Sequence, residues 1–170
     1  MALIIETGSI VPNANSFVTR AEFIAHALEK GVTIADEGAT DVMLVKAGQY
    51  INSKEPNLKG RLVNRDQPMV YPRNDLQLEG WAWSSTEIPR QVILAQMELA
   101  LDLNDGIDLY NPPANPNLTA KRERIEGAVE VEYFGQDGGF KVSRDSLSQA
   151  IMSVLLKRNG LTIAMERAYG

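Results

Sequence analysis

One histidine and no cysteine leave this chain little with which to do covalent or metal chemistry. His26 stands between Ala25 and Ala27 in a helical stretch. A triad or a histidine-based metal site needs partners placed around it, so His26 reads as a surface or packing histidine. The absence of cysteine rules out disulfides and thiolate metal sites. Asp102, Asn104, Asp105 and Asp108 resemble a calcium loop, but counted from Asp102 the glycine, Gly106, falls at position five, and Pro113 stands at position twelve. That loop needs glycine at six and glutamate at twelve. Gly135, Gly138 and Gly139 lack the following lysine and hydroxyl residue of a phosphate loop and read as a hairpin turn. No spacing of carboxylates singles out an acid–base pair. The expectation is a protein that is not an enzyme and carries no metal or cofactor.

The residues that could recognise something lie together. The stretch "KGRLVNRDQPMVYPR", residues 59–73, holds Lys59, Arg61, Arg65 and Arg73 against one acid, Asp66, in a chain of net charge −5. Tyr71 lies inside it, and Trp81 and Trp83 follow. Basic groups interleaved with aromatics can track a nucleic-acid strand and stack its bases. Arginine and aromatic residues are equally the types that anchor protein–protein contacts. The 17 basic residues are outnumbered by 22 acidic ones, and phosphate affinity comes mainly from cations. The balance favours an interface loop.

The elements that would carry this loop are helical. Thr19 and Glu22 have capping-box spacing and Gly31 suits the end, so a helix is expected over 20–30. A second is expected from Thr40 to Asn52, with Met43 or Leu44, Ala47, Tyr50 and Ile51 inward. Residues 53–87 show no regular period, and Pro68 and Pro72 forbid a helix there. A third helix is expected with Pro89 in its first turn, running to about Leu103 and apolar on more than one face. Residues 104–119 read as a surface loop, and 128–143 as a β-hairpin. The last helix, capped by Ser143 or Asp145, should reach Arg158 with Leu147, Ile151, Val154 and Leu155 inward. The fold class is therefore mainly α: a small bundle of about four helices with a long ordered loop and a small β-hairpin. One domain is expected, with a core over 15–158, an N-terminal arm at 1–14 and a tail at 159–170. The start lacks a basic signal region and no apolar run spans a membrane, so a cytoplasmic site of synthesis is expected.

Five segments carry a family resemblance. "NANSFVTRAEFIAHALEKG", "LVKAGQYIN", "KGRLVNRDQPMVYPR", "IPRQVILAQMELAL" and "KRERIEGAVEVEYF" cover most of residues 13–134 in order. Together they resemble the head-completion, or head-to-tail connector, proteins of tailed bacteriophages, a group whose members often carry the label DnaT-like single-stranded DNA-binding protein. The chain has Tyr71 where that group often has tryptophan. The resemblance implies a non-enzymatic subunit of a dodecameric ring beneath the portal. Such a ring extends the DNA channel, joins capsid to tail and lets genomic duplex pass without sequence-specific binding. Its implied partners are the portal and a tail or stopper protein, and its implied place is the virion neck, reached from the host cytoplasm. On this reading Arg61, Arg65, Tyr71, Pro72, Arg73, Trp81 and Trp83 form the subunit or partner interface. Leu161, Ile163, Met165, Arg167 and Tyr169 form a portal-docking tail. The label implies the alternative, a single-stranded DNA binder of phage replication.

Overall fold

A computed structural model describes residues 2–34, 37–110 and 147–157. Among them are four helices and two antiparallel two-stranded sheets, so the chain is mainly helical with a small hairpin.

Helix α1, Arg20–Glu29, begins where its sequence signals put it. The Thr19 hydroxyl accepts the Glu22 N–H at 3.2 Å, and the Glu22 carboxylate accepts the Thr19 N–H at 2.8 Å. Two donors that the first turn leaves open are thus satisfied. At the other end Gly31 adopts φ +76°, with Gly31 N–H bonded to Leu28 O and Val32 N–H to Ala27 O. This paired closure uses the left-handed backbone that glycine adopts without a Cβ penalty. Phe23 and Ala27 are buried.

Helix α2, Glu37–Ser53, starts a turn before the expected Thr40. Within it Thr40 is buried, and Asp41 accepts Arg20 Nε at 2.8 Å. The expected inward stripe holds, with Leu44, Ala47, Tyr50 and Ile51 buried.

Helix α3, Arg90–Asn104, has Pro89 as its N-cap. Val92, Ala95, Leu99, Met97, Ala100 and Leu101 are all buried, so both of its faces are covered. It packs against α1, α2 and helix α4, Leu147–Leu155. The buried residues of α4 are Ser148, Met152 and Leu155; Leu147 is 54% exposed, and Ile151 and Val154 are half-buried. The expected stripe is thus rotated by about one residue. The physical reason is polar: Ser148 faces α3 and donates to the Asp102 carboxylate, an inward hydroxyl that an apolar count passes over.

The N-terminal arm runs beside residues 15–16. Asn15 Oδ1 accepts Ile4 N–H at 2.9 Å, and Glu6 N–H bonds Ser16 O at 2.8 Å. Glu6 itself is buried, and its carboxylate accepts the N–H groups of Gly8, Ile10 and Val11 at 2.8, 3.0 and 2.8 Å. Three donors around one anion hold the 7–11 turn, including Ile10 at φ +58°.

Residues 53–87 are more regular than their sequence suggests. A 3-10 turn, Glu55–Asn57, leads to strand β1, Arg61–Leu62, paired with β2, Arg73–Asn74. Strand β3, Gln77–Leu78, pairs with β4, Trp81–Ala82, around a two-residue turn of Glu79 at φ +52° and Gly80 at φ +85°. Two successive positive φ values suit the right-handed strand twist. The commoner turn pairs, Asn-Gly and Asp-Gly, are absent there, which is why the hairpin escapes a sequence reading. The expected hairpin at 128–143 and the 111–119 part of the proline-rich loop lie outside the described residues.

Candidate functional site

The basic, aromatic stretch is an ordered loop folded around two amide side chains. Gln67 Oε1 accepts the N–H groups of Val63 and Asn64, both at 2.9 Å. Its Nε2 donates to Met69 O at 2.7 Å and Pro72 O at 3.1 Å. Asn52, on α2, donates to Pro68 O at 3.2 Å and accepts Val70 N–H at 3.1 Å. An irregular backbone cannot pair with itself as a helix does, so its buried groups need side-chain partners. Gln67 and Asn52 supply them. Met69, Val70 and Tyr71 can then enter the core, where each is buried.

Tyr71 is fully buried, with its ring edge-on to Phe17 at 6.2 Å. Burial pushes its hydroxyl pKa well above the usual tyrosine range. The peptide joining it to Pro72, also buried, is cis. Arg73 is 2% exposed. Its guanidinium donates to Val70 O at 3.3 Å and Gly60 O at 3.1 Å, lies 3.9 Å from the Glu55 carboxylate, and sits 5.9 Å from the Tyr71 ring centre. Burial lowers its pKa, opposed by Tyr71 and Glu55. Tyr71, Pro72 and Arg73 are therefore brought together, but in the interior of the chain's own fold.

The remaining bases divide. Lys59 Nζ donates to Val154 O at 2.8 Å and Lys59 N–H to Leu155 O at 3.0 Å, closing the end of α4. Arg61 is exposed and paired with Asp75, through Nε at 3.0 Å and a second contact from Nη2. Arg65 is exposed and makes no ion pair among the described residues. Trp81 is 76% exposed on β4. Trp83 is half-buried against the core, its N–H bonded to Leu76 O at 3.0 Å. Of the seven residues expected at an interface, Arg61, Arg65 and Trp81 lie open on the surface, and Trp83 is partly so. The expected docking tail, Leu161, Ile163, Met165, Arg167 and Tyr169, lies outside the described residues.

His26 is half-buried, its Nε2 2.8 Å from a Glu98 oxygen that Lys30 also contacts. That places it as a packing histidine. Among the described residues no three histidine, aspartate or glutamate side chains group as metal ligands, and no helix is long and apolar enough to cross a membrane.

A family model described as "Putative DnaT-like ssDNA binding protein" matches residues 1–168. The chain belongs to that DnaT-like family. No curated protein and no solved structure matches it. The match spans almost the whole DnaT-like chain, including the loop built on Gln67 and Asn52. Neither amide stands out in the sequence as a structural residue. The one available signal is a polar side chain directly before a proline that opens an apolar run, Gln67 before Pro68-Met69-Val70-Tyr71.

Proposed function

We propose that this DnaT-like protein is a structural subunit of a phage head-to-tail ring, seated under the portal and receiving a tail or stopper protein, with genomic duplex passing through. The observation that carries the reading is Trp81. A tryptophan 76% exposed, on a hairpin whose other side chains include Glu79, is an anchor without a pocket. An aromatic on a hairpin with a carboxylate at its turn suits a protein partner better than a phosphate backbone. The burial of Tyr71 and Arg73 points the same way, since neither is open to stack on a base or touch a phosphate. The chain's net charge of −5 suits a conduit that must not hold the DNA it conducts.

The second reading is single-stranded DNA binding in phage replication, and the family description favours it directly. Its surface would be Arg61, Arg65 and Trp81, the open part of the basic, aromatic set. The test is a phage lacking this gene, with particles viewed by electron microscopy and DNA synthesis followed in parallel. The ring reading expects normal DNA synthesis with heads that lack tails. Failed DNA synthesis with few heads would overturn it in favour of strand binding.

A further inference from the structure

A groove of about 570 Å³ opens between the N-terminal arm, the start of α1 and the segment leading into α3. Its apolar lining is Phe17, which is buried, and Ile5, Trp83, Ile88 and Ile93, which are half-buried; Thr7, Thr19 and Thr86 line it as well. Two exposed carboxylates, Glu22 and Glu87, stand at its edge, and neither makes an ion pair among the described residues. Glu22 stays ionised: the Thr19 hydroxyl and N–H hold its carboxyl below the usual range. An apolar lining with an acidic rim fits a segment that is apolar in the middle and basic at its ends.

This chain carries such a segment on its surface. Strand β1 and the turn after it read Arg61, Leu62, Val63, Asn64, Arg65, with the two apolar residues half-buried and both arginines exposed. Arg61 already has Asp75, whereas Arg65 makes no ion pair among the described residues. No residue of this segment lines the groove of its own chain. The hairpin carrying Trp81 is a poorer occupant, because Glu79 beside it would meet the acidic rim.

We propose that the groove seats the 61–65 segment of a second copy of this chain, with Arg65 pairing with Glu87 and Leu62 and Val63 covering the apolar lining. The contact is heterologous, since the segment and the groove are different surfaces. Head-to-tail repetition of such a contact builds a ring if its rotation closes. The inference rests on the ring reading and names the surfaces that would make it.

The natural chain has no cysteine, so introduced thiols report a single contact. Full-length Arg65→Cys and Glu87→Cys proteins are mixed under mild oxidation, and the rate of disulfide dimer formation is compared with Leu28→Cys plus Glu87→Cys. Leu28 is 67% exposed on α1 and outside the groove. The expected result is a rate at least about tenfold above the control, and a ladder of oligomers from a chain carrying both substitutions. Reversing one charge, Arg65→Glu or Glu87→Arg, should slow cross-linking at the neighbouring Val63→Cys and Thr86→Cys positions by about tenfold or more, because like charges then face each other. Combining the two reversals, one in each partner, should restore it. A rate equal to the control, a ladder that stops at dimer, or charge reversals without effect would overturn the proposal. Rings seen beneath portals despite an unreactive 65–87 pair would sink this contact and leave the ring reading standing. Fast 65–87 cross-linking in a protein whose loss stops DNA synthesis would keep the contact and sink the ring reading.

Discussion

Replacing Gln96 by leucine should destabilise the fold by an amount that the hydrogen bonds around it allow one to work out. Gln96 is fully buried at the middle of α3. Its Oε1 accepts Phe17 N–H at 2.7 Å, and its Nε2 donates to Ser16 Oγ at 2.9 Å and Leu44 O at 2.8 Å. Leucine fills similar space but returns none of these bonds. The three partners do not suffer equally. Ser16 Oγ still donates to Val18 O at 2.7 Å, and Leu44 O, inside α2, keeps its place in the helical ladder. Phe17 N–H alone loses its acceptor. One orphaned buried donor costs about 1–3 kcal/mol, and two lost neutral bonds whose partners stay satisfied add about 1 kcal/mol. Leucine's extra apolar burial offsets part of that, so the expected loss is about 2–3 kcal/mol. Urea unfolding of both proteins measures it through the midpoint at an unchanged slope. Gln96→Glu keeps the shape and adds a sign test. A carboxylate there would face Leu44 O and a serine already donating elsewhere, in a buried site that disfavours charge. Its folded pKa would lie above its unfolded value, so the variant should be most stable below the ordinary glutamate range and lose stability as pH rises through the raised folded value. A leucine variant as stable as the parent, or a glutamate variant that strengthens with pH, would refute the reasoning.

Other perturbations follow from the same geometry. Gln67→Ala should cost about 1–3 kcal/mol and should speed amide exchange selectively at Val63 and Asn64, whose N–H groups Gln67 accepts; unchanged exchange there would dismiss its role as the hub of the loop. Gly8→Ala should cost about 2 kcal/mol or more by thermal melting, since Gly8 has φ +99° and a Cβ would lie 2.0 Å from Thr86 O. Asp41 is held below the usual carboxylate range, chiefly by the hydrogen bond from Arg20. Its contribution to stability is present above the ordinary aspartate pKa and is lost as pH falls through the depressed folded value, so the parent's advantage over Asp41→Asn in urea midpoints should shrink on acidification. Trp81→Ala should change stability by no more than about 0.5 kcal/mol, because the side chain is mostly in water, yet should abolish joining of heads to tails in complementation.

The sequence by itself determined the helices. Capping-box spacing at Thr19 and Glu22, Gly31 at the helix end and Pro89 before α3 are local signals, and local hydrogen bonds make them true. The inward stripe of α2 and the two-sided burial of α3 were equally legible, because apolar periodicity reports which faces leave water. Tertiary structure decided what the basic, aromatic loop is. Composition shows arginines beside aromatics and cannot say which are inside; that depends on whether distant groups satisfy them. Arg73 is interior because Val70 O, Gly60 O and Glu55 are there to meet it, and Tyr71 because Phe17 is. Arg65 and Trp81, of the same residue types, meet no such partners among the described residues and are exposed. The rotation of α4 has the same cause, a serine turned inward by Asp102. Periodicity records hydrophobicity alone, and which polar side chains enter the core depends on partners that the three-dimensional fold brings to them, as Asp102 is brought to Ser148 and Gly60 O to Arg73.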